Sequence, residues 1–337
     1  MAIIATLGCA LPLILSLLTR NPGFFWATMG ACTAAQAHPL QRLGMPGMLL
    51  LILLGAASIA LGFWADSSTL SSLSLFAGCG LLLAWLQRYG NETGKLGVTL
   101  AICFCIGQSQ YGLGHFDNPC AIAALFVLGG LWVSLLGFSL RLLYALPLWP
   151  DSLTLRQLGR IMKRQALRMP PSTWWLYALA CLLSSLIAGL CLLLLPVPRE
   201  YWLTVPVYIS LHLCLQPSLL RILSTGLAML AVALVLIAAG FYLANAQDLM
   251  LAILIPLLLV LRAFQAKSGD TFALQTGLCF LLVTEAQAQD WYAPEWRLIN
   301  VCIGLAISLG VTFSLQVFWQ VASFLRKACT GISRPPL

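Results

Sequence analysis

Residues 47–65 read GMLLLILLGAASIALGFWA and carry no charged side chain. A helix needs about 20 apolar residues to cross the hydrocarbon core of a bilayer, so this stretch is long enough to span a membrane. The rest of the chain has the same character, because 61% of its residues are hydrophobic and 8% are charged, with a mean hydropathy of +0.94. Soluble domains are about 25% charged. The sequence therefore predicts an all-α integral membrane protein and excludes a water-soluble enzyme.

Turn-forming residues such as Asn21-Pro22 and Gly90-Asn91 divide the chain into twelve apolar segments, several of them short. The predicted transmembrane helices are 3–19, 24–40, 47–65, 70–87, 96–112, 121–146, 174–196, 201–219, 225–243, 247–264, 271–287 and 297–322. With both termini in the cytoplasm, 15 of the 18 lysines and arginines fall on the inner side and seven of the ten acids on the outer side. Inner loops carry this basic excess, whereas a nucleic-acid-binding face gathers cations on one polar surface. The charges thus favour twelve spans with both termini inside, and no nucleic-acid partner.

A proline-delimited segment, 147–173, is the one long connection between spans. Within it, Leu155, Leu158, Ile161 and Met162 share one helical face, while arginines repeat every four residues from 156 to 168 on another. This pattern predicts an amphipathic helix on the inner leaflet. A basic linker that fixes topology and a regulatory or substrate-gathering helix are both open interpretations. The predicted organisation is a first six-helix repeat at 1–146, a cytoplasmic linker at 147–173, a second six-helix repeat at 174–322 and a short cytoplasmic tail at 323–337.

An internal duplication relates the two sides of this linker. The pattern P-x-x-[FY]-W-x-T occurs twice with an offset of 176 residues, as Pro22, Phe25, Trp26 and Thr28 and again as Pro198, Tyr201, Trp202 and Thr204. The same offset relates Cys103-Phe104 to Cys279-Phe280. Each copy contains six spans, an even number, so both copies enter the membrane in the same direction. The sequence predicts two parallel six-helix repeats related by an axis along the membrane normal, a common plan of transporters.

At these residues the chain resembles the fusaric acid resistance / aromatic acid exporter superfamily. The second half has Tyr201-Trp202 and Thr204, then Gln216-Pro217, then the turn from Arg221 to Gly226, in the order of that family's short motifs. The first half has His38-Pro39 where the family has Gln-Pro. Full-length members carry a large soluble region after each six-helix bundle, whereas this chain has only the short linker and tail, as in the compact relatives.

The resemblance implies a function for the whole chain. It implies a secondary transporter in the inner membrane of a bacterium, which uses the proton gradient to export small organic compounds, aromatic or carboxylate-bearing. A periplasmic membrane-fusion adaptor and an outer-membrane channel are the implied protein partners, beside the surrounding lipids. The role that the cytoplasmic domains have in full-length members would then be absent here or supplied by a partner protein.

Polar and aromatic side chains at membrane depth are the candidate substrate residues, because burying them in lipid is expensive. The glutamine side chains could bind a substrate carboxylate or form hydrogen bonds between helices, and both interpretations are open. For the arginines, pairing with an organic anion competes with extension to the interface. For the duplicated tryptophans, stacking on substrate competes with anchoring in an interfacial belt. The candidates are Trp26, Gln36, Arg42, Gln108, Trp202, Gln216, Arg221 and Gln287.

Three titratable residues are candidates for proton coupling. His38 and His212 lie in the predicted second and eighth spans, and histidine titrates near neutrality. Glu285 is the one acid placed inside a predicted span, close to its outer end. Burial of a carboxylate in lipid favours its protonated form, which suits a coupling site. Hydrogen-bonded packing of the histidines and hydration of the outer mouth by Glu285 are the competing interpretations.

The sequence contains no nucleotide-binding, catalytic or metal-site motif, so ATP-driven transport within this chain is excluded and no cofactor is expected. A passive organic-anion channel and a non-transporting envelope scaffold that docks an adaptor remain alternatives. An intramembrane lipid enzyme is disfavoured, since no acid-rich, metal-binding cytoplasmic loop is present. A homo-oligomer is a further expectation, based on small residues predicted to face lipid at Gly55, Ala56 and Gly62.

Overall fold

A computed structural model describes residues 2–19, 21, 23–37, 44–65, 68–108, 118–150, 152–168, 170–194, 201–212 and 294–331, with 227 and 234 described singly. The described residues form ten α-helices and no strand. They are α1 (Ala2–Thr19), α2 (Gly23–Ala34), α3 (Gly44–Ala65), α4 (Thr69–Arg88), α5 (Asn91–Gln108), α6 (Pro119–Leu143), α7 (Ser152–Arg168), α8 (Pro171–Leu194), α9 (Tyr201–His212) and α10 (Pro294–Gly331).

Five of the described helices are long and apolar enough to cross a membrane. They are Gly44–Ala65, Thr69–Arg88, Pro119–Leu143, Pro171–Leu194 and the Leu298–Ala322 part of α10. Shorter apolar helices lie at Thr6–Ser16, Thr93–Gln108 and Trp202–Leu211. Large leucines are exposed along the long helices, Leu53 and Leu128 among them, as expected for side chains that meet lipid. The chain is therefore a multi-pass, all-α membrane protein, and the predicted spans 225–243, 247–264 and 271–287 lie outside the described residues.

Local chemistry fixes the ends of several helices. The Ser68 side chain accepts a hydrogen bond from the Ser71 amide at the start of α4, and the Asn118 side chain accepts one from the Cys120 amide at the start of α6. Such caps satisfy amide groups that have no partner within the helix. Gly90 joins α4 to α5 with a φ of 123°, a left-handed conformation that suits glycine. The break at Gly90 coincides with one of the turns on which the predicted spans were based.

In the first half, α2 lies at the centre and packs on α1, α3 and α6. Gly30 of α2 and Gly129 of α6 allow this approach, because a Cβ at either position would overlap a backbone carbonyl of the other helix. Small residues have the same use throughout membrane bundles. The expectation that Gly55, Ala56 and Gly62 face lipid is wrong, because all three are buried. Gly55 packs against the Phe126 ring of α6, and Gly62 against the backbone of α5, so these residues serve packing within the chain.

Three helices of the second half repeat this arrangement. α8, α9 and α10 pack on one another, as α1, α2 and α6 do. The carbonyl oxygen of Ala27 lies against Gly129, and the carbonyl oxygen of Leu203, 176 residues later, lies against Gly304. The two halves meet where α4 packs on α8 and α5 packs on α9. The complete pair of six-helix repeats stays a prediction, because residues 213–293, apart from 227 and 234, are outside the described part of the chain.

Some helix boundaries differ from the predicted ones. α2 ends at Ala34, short of the predicted residue 40, and Gln36 donates its amide to the Thr33 carbonyl in a tighter turn. Pro39 disfavours helical geometry at the residue before it, so hydropathy alone overestimated this span. α10 continues to Gly331, beyond the predicted end at 322, because a helix need not stop where its apolar stretch stops. The predicted amphipathic helix of the linker is present as α7.

Candidate functional site

The surface between the two halves is the candidate site, and we call it the inter-half seam: the buried contact of α4 and α5 with α8 and α9. Gly80 of α4 makes the close approach to α8, since a Cβ there would lie 2.7 Å from the Cys181 carbonyl oxygen. One turn later in α4, the carbonyl of Ala84 accepts a hydrogen bond from the Trp174 indole of α8 at 3.2 Å. Arg88 lies over the same indole, 5.0 Å from the ring centroid. These contacts hold the helices of the two halves together.

Two of the predicted glutamines have partners within the chain. Gln108 ends α5 with 2% of its side chain exposed and donates a hydrogen bond from Nε2 to Ser72 Oγ of α4 at 2.8 Å. Gln36 follows α2 and accepts a hydrogen bond on Oε1 from Thr99 Oγ1 of α5 at 2.6 Å. The Nε2 of Gln36 is buried and has no partner in the described structure. Gln108 thus bonds helix to helix, whereas Gln36 keeps one donor available.

Buried hydroxyl groups lie on α8 and α9. Ser184 of α8 and Thr204 and Tyr208 of α9 are at most 1% exposed, and their hydroxyls have no hydrogen bond of regular geometry in the described part of the chain. At the seam, Thr204 lies close enough to Cys105 of α5, and Tyr208 to Ser185 of α8, for a weak side-chain hydrogen bond. A buried hydroxyl without a well-formed hydrogen bond costs about 1–3 kcal/mol, so Thr204 and Tyr208 have hydrogen-bonding capacity left for a ligand.

Both predicted tryptophans are core residues. Trp26 is 2% exposed and Trp202 is fully buried, although hydropathy placed them near the outer boundary. Trp26 packs edge to face against Phe25, with ring centroids 5.3 Å apart. A belt tryptophan presents its ring to the lipid interface, so the interpretation of these two residues as interfacial anchors is wrong. Trp202 lies on α9, the helix that also carries the seam hydroxyls.

The structure leaves the other predicted site residues untested. His38, Arg42, Gln216, Arg221, Glu285 and Gln287 lie outside the described residues. His212 is the last residue of α9, and its side chain is not among those described. Its position is eight residues after Thr204 and four after Tyr208, a spacing that puts all three on one face of the helix.

A cavity of about 620 Å³ lies away from the seam, within the first half. Leu11 and Leu15 of α1, Phe24 of α2, and Leu128 and Leu135 of α6 line it. Leu11, Leu128 and Leu135 are exposed, as lipid-facing side chains are. The walls of the cavity are almost entirely apolar, although Trp132 and Ser134 among the lining residues carry a buried polar atom without a hydrogen bond in the described residues, and a polar organic compound needs several placed hydrogen-bonding groups. We therefore choose the seam as the candidate site because of its polar groups, and not because of an empty volume.

Most described polar groups of the seam are neutral. They are hydroxyls, amides and thiols, with the Arg88 guanidinium over Trp174 as a charged group among them, and they can bind a carboxylate, a phenol or water. No group of three or more histidine, cysteine or acidic side chains in the described residues is placed to hold a metal ion. A proton-coupling group would have to come from elsewhere in the chain, such as the end of α9.

Sequence reasoning did not identify Ser72, Thr99, Ser184 and Tyr208, which carry or partner these polar groups. Serine and threonine are common in membrane helices and often bond to their own backbone, so their presence alone carries no signal. Thr204 was visible as the last residue of the repeated pattern, which was the one available clue.

The sequence model of the family described as fusaric acid resistance protein-like matches residues 179–311. This match confirms the resemblance noted in the second half and supports membership of that family. It supports a role in membrane transport or efflux and not in enzymatic catalysis. No curated protein and no solved structure matches the chain.

Proposed function

From the match of residues 179–311 to the fusaric acid resistance protein-like family, we propose that the chain is a proton-coupled secondary efflux transporter. Its substrates would be small organic compounds, aromatic or carboxylate-bearing, exported across the inner membrane of a bacterium. A periplasmic adaptor and an outer-membrane channel would carry them onward. The observation that supports this proposal most is the pair of buried hydroxyls of Thr204 and Tyr208 at the inter-half seam, which have no well-formed hydrogen bond in the described residues.

Placement between the halves suits a transport pathway. In many transporters built from repeats, substrate sites lie at the interface of the repeats, and one bundle rocks against the other. A substrate that enters the seam gives the hydroxyls of Thr204 and Tyr208 an acceptor, which recovers part of the energy lost by burying them. The seam thus favours a bound polar compound over an empty, closed contact.

His212 is the coupling residue that the register of α9 favours. It follows Tyr208 by one helical turn, so a proton on its imidazole would lie near the end of the polar face. The residue 176 positions earlier is Gln36, which cannot titrate. Gln36 Nε2 nevertheless lacks a partner, which suits a polar contact at the corresponding point of the first half. His38 and Glu285 remain further coupling candidates.

The test is transport of aromatic carboxylates by the purified chain in proteoliposomes, driven by an imposed proton gradient. We expect Thr204→Val and Tyr208→Phe each to raise the apparent KM roughly 2- to 10-fold, the effect of losing one hydrogen bond to substrate. The matched control is Thr28→Val, since Thr28 occupies the same position in the first half and its hydroxyl is bonded to the Phe24 carbonyl. His212→Gln should uncouple the flux from the proton gradient.

Three results would contradict the proposal in different ways. Flux that follows voltage and ignores the proton gradient would indicate a passive organic-anion channel. Absence of flux even with the adaptor present would favour a scaffold. Normal flux and KM in Thr204→Val and Tyr208→Phe would keep transport but remove the seam as its pathway. Normal coupling in His212→Gln would shift the coupling role to His38 or Glu285, each testable by the same substitution to glutamine.

A further inference from the structure

The linker helix α7 is strongly basic and its cations are free to meet a partner. It has 17 residues and contains no aspartate or glutamate. Arg156, Arg160, Lys163, Arg164 and Arg168 are exposed. Viewed along the helix axis, these five cations lie on one side of α7, with Lys163 and Arg168 at the two edges of that side. This face is therefore an extended patch of positive charge with no acid of its own helix to neutralise it.

The opposite side of α7 is apolar and only partly covered. Leu158 and Met162 are half-buried, whereas Leu155 and Ile161 are each 51% exposed. Exposed leucine and isoleucine beside exposed arginine is unusual for a helix that meets only water. It is the pattern of helices that lie in the interface of a bilayer, with their apolar side in the acyl region.

The position of α7 in the chain holds it at that interface. Two residues separate its end at Arg168 from the start of α8 at Pro171, and α6 ends at Leu143, eight residues before α7 begins. Both neighbours are long and apolar enough to span the membrane. A connecting chain covers at most about 3.6 Å per residue, so α7 cannot move far from the ends of these spans. Trp149 and Trp175, both more than 60% exposed, flank it as interfacial aromatics do.

We propose that α7 binds anionic phospholipids, with its basic face against their phosphate headgroups and its apolar side inserted beside the acyl chains. The membrane surface supplies negative charge and apolar contact together, and the short connections to α6 and α8 keep α7 at that surface. This inference concerns the lipid around the protein and stands whether or not the proposed export function holds.

Binding there bears on the seam through one contact. Gln165 of α7 lies against Gly90, the turn between α4 and α5, so closely that a Cβ at Gly90 would overlap its amide. α4 and α5 are the two seam helices of the first half. Lipid bound to α7 would therefore lie next to the turn that joins these two helices.

The test uses the full chain, purified in a neutral detergent and titrated with phosphatidylglycerol or phosphatidylcholine, with bound lipid counted by native mass spectrometry. One variant replaces Arg156, Arg160 and Arg164 by glutamine, and a matched control replaces the same three by lysine. Each basic residue contributes about 1 kcal/mol toward anionic lipid, or about fivefold in affinity. We expect the wild type and the lysine variant to prefer phosphatidylglycerol by at least about tenfold, and the glutamine variant to lose that preference.

Equal binding of the two lipids by the wild type would overturn the proposal. So would a glutamine variant that retains the preference, or a lysine variant that loses it, since either result would separate lipid binding from the charge on α7. Substitutions at exposed positions change stability little, so all three proteins should melt at similar temperatures. Weakening of the preference by added salt is the second expected observation, since screening acts on surface charge.

Discussion

The helices α2 and α9 begin with the two copies of the same sequence pattern, yet their surroundings differ. α2 is enclosed by α1, α3 and α6 of its own half, whereas α9 also packs against α4 and α5 of the other half. The Thr28 hydroxyl of α2 donates to the Phe24 carbonyl at 2.9 Å, while the hydroxyl of Thr204, 176 residues later, has no well-formed hydrogen bond in the described residues and lies beside the Cys105 thiol. A glycine at position 30 in α2 corresponds to Pro206 in α9, which has no amide hydrogen for the helix ladder.

If the duplication predicted from the sequence is correct, the two related helices have different surroundings. After the repeated pattern in α2, Gly30 admits the backbone of α6 and supports close packing. In α9, Thr204 at the end of the pattern and Tyr208 one turn later lie against the other half. Where a segment of a repeat protein lies at the contact between copies, its polar side chains can bind a ligand without disturbing the packing within each copy.

The largest expected effect is common to both helices and tests their shared packing. Trp26→Ala and Trp202→Ala should each reduce the free energy of unfolding by about 3–5 kcal/mol, because both rings are buried. The matched control is Trp64→Ala on α3, where the ring is 58% exposed and the change should stay within about 0.5 kcal/mol. Denaturation in mixed micelles measures all three. A small loss of unfolding free energy in Trp26→Ala or Trp202→Ala would indicate that the tryptophan is an interfacial residue and not a core residue.

The second prediction concerns the packing role of α2 alone. Gly30→Ala should destabilise the protein by about 1–3 kcal/mol, because the added methyl group would overlap the Phe126 carbonyl of α6. Gly78→Ala on α4 is the control, since a methyl group there meets nothing within 4 Å. Thermal melting in detergent distinguishes them. If the two variants melt at the same temperature, the close contact of α2 and α6 is not as described.

The third prediction concerns the paired groups of the seam. Gln108→Leu leaves Ser72 Oγ buried without its partner, which should cost about 1–3 kcal/mol. Adding Ser72→Ala should recover most of that loss, because the double variant has no unpaired group at this point. The free energies of the single and double variants form a cycle. Additive losses would mean that the two side chains do not bond to each other.

The smallest effect on stability is the one that best separates the two helices. Thr28→Val removes a bonded hydroxyl and should destabilise the protein by about 0.5–1.5 kcal/mol. Thr204→Val removes a hydroxyl without a well-formed hydrogen bond and should leave stability unchanged or raise it. The two substitutions are identical in chemistry, so opposite signs would be informative. Equal losses in both would show that Thr204 has a structural hydrogen bond after all.

Hydropathy and turn residues predicted most of the described helices, because membrane helices must satisfy their backbone internally and their apolar length is fixed by the bilayer. The same information could not say which surfaces of a helix meet protein. The neighbours of Gly62 and Trp26 in the sequence are apolar, as they would be for a residue that faces lipid and for one that faces another helix. The sequence therefore predicted the wrong surroundings for both residues. The hydroxyls of Ser184 and Tyr208 gave no signal either, since their significance depends on lacking a partner in three dimensions.

Two cysteines on α5 allow the most direct test of the seam as a pathway. Cys105 lies beside Thr204 of α9, whereas Cys103 lies on the α2 side, 3.9 Å from Thr33 Oγ1. The measurement is labelling by a membrane-impermeant methanethiosulfonate in two variants of the protein. One variant has Cys105 as its single cysteine and the other has Cys103, with every other cysteine replaced. We predict that Cys105 reacts, that transported substrate slows its reaction, and that Cys103 stays unmodified. Lack of reaction at Cys105 during transport, or equal reaction at both positions, would contradict the account.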